Sequence, residues 1–271
     1  MKKLLALVLS LAMSLSLATS ALSSYNVPFA DVTNRNHWAF ESIARAQEDG
    51  IVKGAYVDPD NGEVYYLPSK TLTKAEFAAI MTRAFLADKL SEKEAEFASA
   101  EDMDQRWYNA RWFATNIAVA EENGLLPNTY QTLLADYNNT LNDAKIGHMG
   151  PDGTMYYSAS ESLVNAKKSA LSNYVGTAIP RYEMALMIAK IAELNGCVPN
   201  ETAIETAKKT IGDFATITAT QPTYADAVAT VFALGVITGV DSHNTFAGES
   251  SVTRAQAAVI YCRLADIIAG K

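Results

Sequence analysis

Cysteine and histidine are scarce in this 271-residue chain: two of the first (Cys197, Cys262) and three of the second (His37, His148, His243). Two thiols exclude a disulfide-dense scaffold and a four-thiolate zinc site. The histidines stand far apart, so the sequence holds no H-E-x-x-H metal helix. Positive charge is also short, with 22 basic against 30 acidic side chains and a formal charge of −8. A general nucleic-acid binder needs a basic footprint, and none is present. Beyond the N-terminus there is no long apolar run, and a mean hydropathy of +0.00 excludes a polytopic membrane protein. Hydrophobic residues make up 49% and charged residues 19%, too apolar a balance for wholesale disorder. The length suffices for one large domain or two to four small ones.

The N-terminus has a character of its own. Lys2 and Lys3, the apolar run 4–17 and the small residues that follow have the charge, length and flanks of a secretory signal peptide, placed at residues 1–20. The run is too short for a membrane anchor. No cysteine lies near the cleavage region, which excludes a lipoprotein. Cleavage after Ser20 removes two lysines and no acid, moving the charge from −8 to about −10. The expected product is secreted and has no membrane association after cleavage. Export permits a disulfide, but Cys262 in an apolar helix pattern and Cys197 after a helix end fit free thiols equally well.

Internal repetition then sets the architecture. Phe29, Asp31-Val32, Trp38-Ala39, Ile43, Gly50-Ile51, Gly54, Thr73-Lys74-Ala75-Glu76 and Phe77 form a first pattern. Near the C-terminus it returns as Val228, Gly235-Val236, Gly239, Phe246 and Thr253-Arg254-Ala255-Gln256. A looser copy lies between them: Asp104, Trp112-Phe113, Ile117, Gly124-Leu125 and Pro180-Arg181-Tyr182-Glu183. In each copy a first helix should end at a glycine (Gly50, Gly124, Gly235), which tolerates the left-handed conformation of a helix C-terminus. A loop follows, and a second helix starts with a capping-box spacing, Thr73 with Glu76 and Thr253 with Gln256. Phe77, Ile80, Met81, Ala84 and Phe85 make the buried stripe of that helix in the first copy. A unit of this size rarely buries enough apolar surface alone, so the three should pack together.

These motifs resemble those of the S-layer homology (SLH) family, whose repeats combine F-x-D-V, W-A, a G-I-x-x-G turn, F-x-P and I-T-R-A-E. Copy one matches at Phe29, Asp31, Val32, Trp38, Ala39, Gly50, Ile51, Gly54, Pro68, Thr73, Ala75 and Glu76, and copy three at Gly235, Gly239, Phe246, Thr253, Arg254 and Ala255. The resemblance implies an all-α fold of three helix–loop–helix repeats packed as a pseudo-threefold bundle, at 25–90, 98–195 and 208–270. It also implies binding of a secondary cell-wall polysaccharide, often pyruvylated, or another glycan linked to peptidoglycan, holding a secreted protein at the bacterial cell surface. Copy two departs most. Pro180 replaces the capping threonine, Asn128 replaces the second glycine, and the chain from Gly124 to Arg181 is more than twice as long as in the other copies. Copy three has Thr223 in the tryptophan position, and copy one has Lys74 where the family prefers arginine.

The candidate glycan-binding residues are Lys74, Arg181, Arg254, Trp38, Trp112, Gly54 and Gly239. A cation in a helix's first turn opposes the macrodipole, and an anion bound there would resolve the conflict. A solvated cation, or one paired with an acid of a neighbouring repeat, would do the same. A tryptophan opening a helix is first a core anchor and second a platform for sugar rings. Gly54 and Gly239 fit either a positive-φ turn or a close approach of ligand to backbone. Asp31 and Asp104 read as helix or turn caps. Asp58-Pro59-Asp60-Asn61-Gly62-Glu63 has the look of a calcium loop without EF-hand spacing, so no metal or cofactor is expected. No G-x-S-x-G elbow and no singled-out carboxylate pair marks a catalytic residue. The insertion 128–178 should hold helices near 129–141 and 161–171, separated by a turn at Pro151-Asp152-Gly153. The reading is a non-catalytic cell-wall-binding protein. The alternatives are an exported cell-wall enzyme that uses the repeats for targeting, and a surface-layer subunit that self-assembles.

Overall fold

The computed structural model describes residues 27–101, 103 and 106–270. The segment 1–20, expected to be a signal peptide, and Asp104 lie outside the described residues. The protein is mostly helical. In chain order the elements are α1 (Phe40–Glu48), a hairpin of β1 (Tyr56–Val57) and β2 (Val64–Tyr65), α2 (Lys74–Phe85), α3 (Ala87–Ser99), α4 (Ala114–Glu122) and α5 (Asn128–Lys145). A second hairpin, β3 (Gly147–Met149) and β4 (Met155–Tyr157), precedes α6 (Glu161–Gly176), α7 (Arg181–Leu194), α8 (Glu201–Thr210), α9 (Phe214–Thr220), α10 (Pro222–Ala233) and α11 (Arg254–Ile268).

Local sequence explains the boundaries. The helices α1, α4 and α10 are each followed by a glycine with φ near +70°, Gly50, Gly124 and Gly235, as helix C-termini require. Thr73 and Thr253 form complete capping boxes with Glu76 and Gln256. Pro180 caps α7 with no side-chain hydrogen bond. The insertion 128–178 consists of α5, the second hairpin and α6, and the turn at 151–153 is the tip of that hairpin. Phe77, Met81, Ile43, Val228 and Ile188 are fully buried in one continuous core.

Three segments meet at the centre of that core. Leu72 N–H donates to Val252 O (2.9 Å), Val252 N–H to Ile179 O (3.2 Å), and Ile179 N–H to Leu72 O (2.9 Å), closing a ring. One step further along, the first amide of each following helix is captured by a neighbour: Lys74 N–H by Thr177 O (3.0 Å), Arg181 N–H by Ser250 O (3.0 Å) and Arg254 N–H by Lys70 O (2.9 Å). The opening turn of a helix leaves amides without intrahelical partners, and here those amides tie α2, α7 and α11 to one another's leading segments.

Candidate functional site

The three first-turn cations follow the same cyclic order as the backbone ring. Arg254 Nε and Nη2 donate to Tyr66 O (2.6 Å) and Lys53 O (2.7 Å) of the loop after α1, with the guanidinium 4.5 Å from the centre of the Tyr66 ring. Arg181 Nε and Nη2 donate to Phe246 O (2.7 Å) and Thr238 O (3.1 Å) of the loop after α10, 4.9 Å from the Phe246 ring centre. Lys74 lies 4.6 Å from the Tyr174 ring centre and donates to Thr177 Oγ1 (2.9 Å). It also pairs with Glu183 at 3.6 Å. Each cation thus occupies a socket made of an aromatic face and polar atoms from another part of the chain.

The cations are satisfied from within the fold: Lys74 pairs with an acid of another copy, one of the alternatives above, and the arginines with loop carbonyls. Lys74 and Arg181 are each only 6% exposed. The N-terminus of α11 is closed as well: its first three amides donate to Lys70 O, Pro68 O and Thr253 Oγ1. In the lysine socket, burial raises the Glu183 carboxyl above its ordinary range, and Lys74 opposes that rise. Tyr174 Oη donates to the same carboxylate (2.9 Å), and burial with the adjacent negative charge pushes its phenol far upward. Burial also lowers the Arg181 guanidinium, and the nearby charge of Asp213 opposes that fall.

Trp38 and Trp112 are 64% and 62% exposed, so the core-anchor expectation for both fails. The buried tryptophan is Trp107, whose Nε1 donates to Tyr130 Oη (3.1 Å), which in turn donates to Glu121 (2.6 Å). Gly54 and Gly239 do not have positive φ; a Cβ on Gly54 would collide with Val64, and one on Gly239 with the Asn244 backbone. Close approach is the reason for glycine at both, and the approaching group is the protein's own loop. Asp31 is not a helix cap. Its two oxygens accept from the amides of Tyr66 and Leu67 (both 2.8 Å), pinning the start of the first copy to the loop before α2. Asp213 does the same to Phe246 (2.7 Å) and Ala247 (3.1 Å). Sequence reasoning missed Asp213, although Ile211-Gly212-Asp213-Phe214 mirrors Phe29-Ala30-Asp31-Val32.

Residues 213–258 match the family model of the S-layer homology domain. No curated protein matches the chain. The SLH match begins at the Asp213 clamp, runs through the loop after α10 and ends in the first turns of α11. It includes Gly239 and Arg254 among the candidate residues.

Three of the seven candidates converge. Gly54, Trp112 and Arg254 line one open groove of about 440 Å³ between the loop after α1, the outer face of α2 and the start of α4. Lys53, Lys70 and Arg83 also line it, against one acid, Glu76. Glu76 is already engaged by Thr73 N–H (2.8 Å) and Thr73 Oγ1 (3.0 Å). On a chain of formal charge −8 this is a local reversal of sign, next to an exposed indole. Such a groove can stack a sugar ring and attract a carboxylate or phosphate.

Elsewhere, Asp58 and Asn61 accept from the backbone of their own turn, Asp60 N–H and Glu63 N–H (both 2.8 Å). Among the described residues no group of three or more His, Cys, Asp or Glu side chains could hold a metal ion. Cys197 and Cys262 are both free thiols, and burial raises the latter's pKa. Among the described residues no helix is long and apolar enough to cross a membrane.

Proposed function

We propose that the chain is a secreted, non-catalytic protein of the bacterial cell surface that binds secondary cell-wall polysaccharide, a pyruvylated polymer fitting the groove chemistry. In this reading three SLH repeats pack about a pseudo-threefold axis. The closed ring through Leu72, Ile179 and Val252 and the cyclic order of the three sockets support that packing. The SLH match at 213–258 supports attachment to the cell wall.

The observation that carries the binding reading is the groove that joins Trp112, Gly54 and Arg254 in a basic setting. Trp112 supplies a flat apolar face for a pyranose ring, and the surrounding cations select a polymer bearing negative charge. Arg254 commits two of its five donors to loop carbonyls, so its first task is to shape the groove rim. Lys74 has little exposed surface to offer, and its place in this reading is to hold the repeats together. Arg181, from copy two, donates to Thr238 O next to Gly239 in copy three, and Trp38 in copy one offers an exposed ring of the same kind as Trp112.

The test is co-sedimentation with purified sacculi before and after chemical removal of the secondary polymer. The parent should sediment only with intact sacculi, and Trp112→Ala should lose most of that binding. Equal binding to stripped sacculi would overturn the reading. A second reading, a self-assembling surface subunit, draws on the tip of the insertion, where Met149, Tyr156 and Tyr157 are exposed. Concentration-dependent growth of the particle on size exclusion would favour it.

A further inference from the structure

Nine residues after each socket cation, its helix carries a second basic residue: Arg83 on α2, Lys190 on α7 and Arg263 on α11. Two of these have partners within the fold. Lys190 pairs with Glu193 (2.8 Å), and Arg263 donates to Val236 O (3.1 Å). Arg83 is exposed and has no hydrogen-bond or ion-pair partner among the described residues. Lys53, on the facing loop, is exposed and equally unpartnered, while its own carbonyl accepts from Arg254. Both side chains line the groove that contains Trp112.

We infer that Lys53 and Arg83, rather than the socket cations, read the negative charge of the bound polymer. The inference rests on the cell-wall reading above and assigns the anion-recognition residues within it. Two exposed cations lining one groove suit a carboxylate or phosphate carried on a sugar whose ring lies against Trp112. Arg254 fixes the wall on which Lys53 stands, because its Nη2 holds the Lys53 carbonyl at 2.7 Å. Arg254 is therefore a positioning residue for Lys53, and its loss acts on the polymer through that loop. Neither charged group has a hydrogen-bond or ion-pair partner among the described residues, and Arg83 adds only a last-turn interaction with the α2 macrodipole, so both can be removed at little structural cost.

The probe is purified sacculi carrying the secondary polymer, with stripped sacculi as the blank, titrated at low and high salt. Lys53→Ala/Arg83→Ala should bind about ten- to a hundredfold more weakly, as expected for lost charge-assisted contacts, at an unchanged melting temperature. The salt dependence of binding should flatten in the same variant, since screening acts on exposed charges. Lys190→Ala should behave as the parent in both respects. If the double variant binds as tightly as the parent while Trp112→Ala does not, the assignment falls and the cell-wall reading stands. If the parent binds stripped sacculi equally well, both fall.

Discussion

In the two arginine sockets the cation meets neutral partners: two carbonyls in a fork, with an aromatic face beneath. In the lysine socket an ammonium meets a carboxylate, a hydroxyl and the ring of Tyr174, which belongs to the inserted helix α6. The difference traces to one backbone atom. Glu76 and Gln256 accept from the amides of their capping threonines. Pro180, in the same place before α7, has no N–H to donate. Glu183 is thereby released from the cap and turns to Lys74 and Tyr174. A lysine cannot grip two carbonyls as a planar fork does. Lysine for arginine, proline for threonine and an aromatic from an insertion are thus one coupled set of changes. They exchange a pH-insensitive joint for a titratable one.

The largest effect that would sharpen this contrast is Lys74→Ala. It leaves Glu183 buried without its cation, a loss of about 3–5 kcal/mol at neutral pH. Because the Glu183 pKa is already raised in the folded state, folding takes up a proton more readily than the open chain does. This group therefore contributes less stability as the pH rises. Removing Lys74 raises that pKa further, so the penalty should be full at neutral pH and shrink as the pH falls toward the ordinary glutamate value of about 4.3. Urea denaturation at several pH values reads the effect. A penalty independent of pH would break the comparison.

Next in size is Arg254→Ala, which forfeits two charge-assisted bonds to carbonyls and should cost about 1.5–3 kcal/mol. No carboxylate touches this guanidinium in its socket, so the cost should be flat between weakly acidic and neutral pH. Gly248→Ala should follow, at about 1–3 kcal/mol. A Cβ there would strike the Tyr182 ring, which is stacked between Tyr224 and Phe246 and has nowhere to go. In the double variant with Tyr182→Ala the two effects should be strongly non-additive, because alanine occupies that position in both other copies, at Ala75 and Ala255. The smallest effect is Lys190→Ala, a surface pair three residues apart on one helix, at roughly 0.5 kcal/mol or less by thermal melt.

Much of the fold was legible because its signals are local. The capping boxes at Thr73 and Thr253 and the C-terminal glycines at Gly50 and Gly235 depend on neighbours only a few residues away. The helices α3 and α8 have no counterpart in the repeat pattern, so it gives no sign of them. The site was less legible. A first-turn arginine looks electrostatically misplaced from its own helix, and only the loop of another copy, 188 residues away between Arg254 and Tyr66, supplies the carbonyl that justifies it. Trp112 could not be told from a core residue by spacing alone, because Phe113 beside it takes the buried position. Arg83 occupies a basic position that recurs nine residues after each first-turn cation, and the sequence does not mark it off from Lys190 and Arg263. What sets it apart is a side chain with no hydrogen-bond or ion-pair partner among the described residues, and sequence alone does not reveal partners.

The most direct test of the division between joints and groove pairs two variants in two assays. Lys74→Ala and Trp112→Ala should be compared for melting temperature and, well below melting, for binding to polymer-bearing sacculi. The expected result is a crossed pattern: Lys74→Ala melts far lower yet binds like the parent while folded, and Trp112→Ala melts like the parent and loses binding. Loss of binding by Lys74→Ala at an unchanged melting temperature would contradict it, returning Lys74 from the joint to the ligand.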